Sequence, residues 1–124
     1  MLQRSALARI LLLSMITLTK VTAADPQPQA ILHEMQRVAD WQIAHPSSHP
    51  TSDWTQAPFY LGLENLSQAS GDARYLDAVT RAGQSLAYGP GLQVTHADDH
   101  AVLQAWLELY ALDHDRAKLQ PSID

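Results

Sequence analysis

Shifting the sequence by 43 residues lays Asp72 onto Asp115, Leu76 onto Leu119, Leu66 onto Leu109 and Leu63 onto Trp106. This internal repeat constrains the fold more than any other feature of the chain. The repeated unit is about 40 residues long, the length of a helical hairpin in an array or toroid. A single hairpin cannot bury its apolar face alone, so units of this kind stack on their neighbours.

The hairpins are legible one helix at a time. Ile31, Met35, Val38 and Trp41, with Leu32, Ala39 and Ile43 beside them, recur at helical spacing and predict a first helix over residues 28–45, with this stripe and Trp41 in the core. It stops before Pro46, because a residue preceding proline is pushed out of the α region. A turn-rich linker through Ser47, Ser48, His49 and Pro50 follows. The second helix starts at or just after Asp53, where an Asp with Gln three residues later suits the free amides of a first turn. Phe59, Leu63 and Leu66 form its stripe, Gly71 suits the left-handed closing position, and Asp72 suits the cap of the next helix. Leu76, Val79, Gly83 and Leu86 continue the pattern to the turn at Tyr88-Gly89-Pro90-Gly91. Val102, Trp106, Leu109 and Leu112 predict the buried stripe of a fourth helix. A fifth begins at Asp115. No stretch alternates like a strand, so the expected fold is all-α.

The first residues read differently. Arg4 and Arg9 precede the apolar run Ile10-Leu11-Leu12-Leu13-Ser14-Met15-Ile16, and small residues follow at Ala23 and Ala24. That pattern is a signal peptide over residues 1–24, implying a secreted or periplasmic product. The apolar run is too short to span a bilayer, which takes about 20 residues. No membrane attachment is expected after cleavage. Residues 25–124 then form one domain-sized piece. All thirteen acidic residues lie after the signal, so the mature chain is more acidic than the −5 of the whole sequence, which argues against a nucleic-acid partner. There is no cysteine, hence no disulfide, thiolate metal site or cysteine nucleophile.

Candidate chemistry concentrates in His96-Ala97-Asp98-Asp99-His100, at the start of the fourth helix. Carboxylates there can cap the helix and favour its positive end. Two adjacent carboxylates flanked by histidines, approached by a glycine-rich loop, could instead hydrogen-bond vicinal sugar hydroxyls. A carboxyl crowded by another could also serve as a general acid. His and Asp ligate metals, but the spacing matches no closed zinc pattern and no metal is assigned. Helices two and four are equivalent members of successive hairpins, so Trp54 and Asp98 are expected on one rim. An aromatic face beside carboxylates suits a sugar ring. His33, His45, His49 and His114 read as solvated. No glycine-rich phosphate loop, Gly-x-Ser-x-Gly elbow, His-Glu-x-x-His or basic aromatic stripe is present.

These segments resemble glycoside hydrolase families 88 and 105, the unsaturated glucuronyl and unsaturated rhamnogalacturonyl hydrolases. The resemblance rests on Val38-Ala39-Asp40-Trp41-Gln42-Ile43-Ala44-His45-Pro46, on Asp53-Trp54-Thr55 with Phe59-Tyr60-Leu61-Gly62-Leu63, and on Gly71-Asp72-Ala73-Arg74-Tyr75-Leu76. It continues through His96-Ala97-Asp98-Asp99-His100 with Gln104 and Leu107-Glu108-Leu109-Tyr110. It implies the first third of a six-hairpin (α/α) barrel, apparently truncated, acting on unsaturated uronic-acid oligosaccharides from pectin or rhamnogalacturonan. The implied reaction protonates the C4=C5 double bond, adds water at C5 and lets the hemiketal collapse, without metal or organic cofactor. The family's first aspartate falls on Asp98, with Asp99 the adjacent alternative, and its cleft aromatic falls on Trp54. His96 and His100, which flank the two carboxylates, are expected substrate-binding residues beside Trp54. The second aspartate, usually the general acid and base, falls beyond residue 124. The family often has glycine near Ala57-Pro58 and at Leu103, and an inward Leu103 would narrow the cleft. Two other readings are a secreted helical-repeat binding module without catalysis and a non-functional gene fragment with exposed apolar faces.

Overall fold

The computed structural model describes residues 27–123 apart from residue 94. The expected signal peptide lies outside the described residues. Within them the chain is all-helical, as the periodicity predicts. The helices are α1 (Pro28–Ala44), α2 (Ala57–Ser70), α3 (Ala73–Ser85), α4 (Leu103–Asp113) and α5 (Arg116–Leu119). Short 3-10 turns occupy Trp54–Gln56, Ala97–His100 and Gln120–Ser122. No described helix is long and apolar enough to cross a membrane.

The caps follow from the sequence. Pro28 opens α1, where its missing N–H is no loss. Gly71 closes α2 at φ 71°, and Asp72 then accepts a hydrogen bond from the Arg74 amide to start α3. Asp115 does the same for Ala117 at the head of α5, which is the repeat made visible. After α3 the chain reverses through Ala87 and Tyr88, both at positive φ. Tyr88 is buried there, and its ring packs edge-on to Trp106 at 6.0 Å.

α2 is the central helix, packed on α3, α4 and α1, with α5 against α4. Its Tyr60, Leu63 and Leu66 meet Tyr75 and Val79 of α3, and Leu103, Ala105, Trp106 and Leu109 of α4, in one core. Trp106 is fully buried, and its indole N–H donates to the Gly89 carbonyl at 3.1 Å. That bond satisfies the polar tip of the largest side chain in the core.

Two expected stripes are corrected. On α1 only Ala39 is buried, while Ile31, Met35, Val38 and Trp41 are exposed, Val38 at 67% and Trp41 at 59%. Trp41 stacks on His45 at 4.6 Å instead of entering the core. The reason is geometric: α2 covers the Leu32–Ala39 side of α1, and periodicity shows that an apolar stripe exists without showing what covers it. Leu112 near the end of α4 is likewise exposed.

Candidate functional site

Two 3-10 turns build the site. The first, Trp54–Gln56, is fixed by Asp53, whose Oδ1 accepts from both the amide and the hydroxyl of Thr55. These bonds, the hydroxyl first, hold the Asp53 carboxyl below the usual carboxylate range, with a smaller contribution from His49. The Gln56 side chain does not close a capping box. It donates to the His49 carbonyl at 3.1 Å and ties the linker down. Trp54 is left 52% exposed.

The second turn, Ala97–His100, stands apart from α4, which begins only at Leu103. Neither aspartate caps α4 through its side chain. Instead the two adjacent carboxylates have different environments. Asp99 is committed to the preceding loop: its carbonyl accepts from the Gly91 amide at 2.7 Å and its Oδ2 accepts from the Gln93 amide. Gly91 permits this approach, because a Cβ there would meet the Asp99 carboxyl carbon at 2.6 Å. Asp98 faces solvent, with the His96 ring nitrogen 3.8 Å from its Oδ2. His100 is exposed on the same turn.

The two turns pack against each other, so the segments carrying Trp54 and Asp98 share one end of the bundle, as equivalent hairpins require. Leu103 joins the hydrophobic core beneath them. Among the described residues no three His, Asp or Glu side chains converge as a metal-holding group. The arrangement offers an exposed aromatic ring, a solvent-facing carboxylate and an adjacent imidazole on one rim. An aromatic face can stack on an apolar ring face while a carboxylate accepts hydrogen bonds from hydroxyls.

One acidic group escaped the sequence analysis. Glu64 on α2 is 2% exposed, and neither carboxyl oxygen has a hydrogen-bond partner. Burial first, and the Glu108 carboxylate on α4 second, push its pKa up to about 8. The signal was available: Glu64 follows Tyr60 by four residues, the spacing that returns to the same helix face.

Among curated proteins, the unsaturated 3S-rhamnoglycuronyl hydrolase of Alteromonas sp. (strain LOR) is 33% identical over 87 residues, covering 60% of this chain. The chain spans 21% of that relative's length. No family model matches, and no solved structure matches. This likeness supports a glycoside hydrolase-like relationship.

Proposed function

We propose that this chain is the N-terminal part of an exported glycoside hydrolase acting on unsaturated uronic-acid oligosaccharides, built as the opening hairpins of an (α/α) barrel. The apposition of the Trp54 and Ala97–His100 turns carries the reading, because it puts an exposed indole and an uncommitted carboxylate on one rim. The likeness to the Alteromonas unsaturated 3S-rhamnoglycuronyl hydrolase supports the same broad substrate class.

In this reading Trp54 stacks on the sugar ring, and Asp98 binds its hydroxyls and helps place the reacting carbons. His96 and His100 border the ring. Asp99 positions the rim through the loop at Gly91 and Gln93 and does not touch substrate. A proton goes to C4, hydroxide from water goes to C5, and the resulting hemiketal opens to release the second sugar. The acid that supplies the proton is not among the groups on this rim.

The test uses an unsaturated uronyl-rhamnose disaccharide. This chain should bind it in a calorimetric titration, and the protein carrying the remaining hairpins should consume its conjugated double bond. Asp98→Asn in that longer protein should lower turnover by about 100-fold or more, with helicity unchanged. Full activity in Asp98→Asn would remove the residue from the reaction. Binding by the longer protein with no loss of the double bond would favour a helical-repeat binding module.

A further inference from the structure

On the other flank of the Trp54–Gln56 turn, the 46–51 linker, the start of α2 and the last turns of α3 enclose a cleft of about 300 Å³. Its walls include Gln42, His49, Gln56, Phe59, Arg81 and Ser85. The linker wall is held in place. The Tyr60 hydroxyl donates to the Thr51 carbonyl at 3.0 Å, Gln56 Nε2 donates to the His49 carbonyl, and the His49 ring nitrogen sits 3.9 Å from Asp53 Oδ2. The volume is at the lower end for small-molecule sites, about one sugar ring.

The charge of this cleft is unusual for the chain. Arg37, Arg74 and Lys118 are each paired with carboxylates. Arg81, like Arg116, has no carboxylate within ion-pair distance among the described residues, and of these two Arg81 alone lines a cleft, one with no Asp or Glu in its walls. In a chain of net charge −5 this concavity therefore presents a permanent cation and the Gln42 amide, with the Gln56 amide and the Ser85 hydroxyl also donating to the His49 and Ala82 carbonyls, and no carboxylate in its lining. A guanidinium offers a planar fork of donors matched to two oxygens of one anionic group. Phe59 supplies an apolar wall for the body of a ligand.

We propose that this cleft is an anion subsite, in which Arg81 binds the carboxylate or sulfate ester of an acidic saccharide. The anion is read from the lining; the saccharide rests on the function proposed above. The site is separate from Asp98, and it lies beside the turn that carries Trp54. An acidic oligosaccharide seated on the rim would bring a neighbouring charged unit to Arg81.

The test is a nuclear magnetic resonance titration of this chain with the methyl glycoside of galacturonic acid, its carboxylate free, with methyl galactoside as the uncharged counterpart, and with inorganic sulfate. Galacturonate should shift the Arg81 side-chain signal and the amides of Gln56 and Ser85, and bind at least about tenfold more tightly than the galactoside. Arg81→Gln should weaken galacturonate binding by a similar factor without changing the melting temperature, and Arg81→Lys should restore part of it. Sulfate displacing galacturonate from the same signals would show that sulfate esters are accepted as well; failure to displace would restrict the site to carboxylates. Equal binding of the galactoside, or no shift at Arg81 with either anion, overturns the proposal. Asp98→Asn should leave these shifts intact, so an intact cleft response together with no turnover by the unsubstituted longer protein would count against the hydrolase reading alone.

Discussion

Glu64 shares a face of α2 with Tyr60 and Leu63, and the helix carries its carboxyl into the interface with α4, where it meets no donor. An unpaired buried carboxyl keeps its proton, because desolvation penalises the charged form. Its pKa of about 8 in the fold compares with an ordinary value of 4.5. Between those values the unfolded chain has released a proton that the folded chain retains. This group's contribution to stability is therefore complete below pH 4.5, falls as pH rises through the window, and levels off above about pH 8. Thermal melts from pH 5 to 9 should show that decline. Glu64→Leu should flatten it and raise stability at pH 8 by up to about 4 kcal/mol; an unchanged slope would mean the carboxyl is solvated. Gly83 makes a different demand. A Cβ there would collide with the Tyr88 ring and sit 3.1 Å from Trp106 Cε3. Gly83→Ala gains helix propensity of about 1 kcal/mol but overpacks the core. The net expectation is a loss of about 1–2 kcal/mol in urea melts.

Among the helices, α1 is the most lightly held, with Ala39 its one buried residue. A polar tie compensates in part. The buried Tyr75 donates its hydroxyl to Asp40 Oδ1 at 3.1 Å, while Arg74 reaches both Asp40 Oδ2 at 3.1 Å and the Tyr75 oxygen at 2.6 Å. Tyr75→Phe keeps the ring and removes the link, for a loss of about 1 kcal/mol. The loss should be local, with amide hydrogen exchange speeding up in α1 before α2 and α3; uniform acceleration would show that the helices open together. Sequence patterns identified every one of these helices, and they located the caps at Asp53, Gly71, Asp72 and Asp115. They did not separate the Ala97–His100 turn from α4. Cap chemistry is local, whereas that break comes from the loop that Asp99 holds through Gly91 and Gln93.

The described residues form two hairpins and a short fifth helix around a core centred on Trp106, with the outer face of α1 left apolar and open. Val38→Lys should therefore change stability by less than about 0.5 kcal/mol and reduce self-association at high concentration; a large loss would show that this face is covered in solution. The sequence by itself determined the all-helical class, the hairpin repeat and the helix ends, because propensity, caps and periodicity act within a few residues. It also placed Trp54 and Asp98 on one rim, since equivalent helices of repeated hairpins start at the same end. Tertiary structure alone decided which apolar stripe is buried, since that depends on the neighbour each helix meets. It also decided that Asp99 is spent on a loop while Asp98 faces solvent. Two adjacent, chemically identical residues differ only through what the fold brings against each of them.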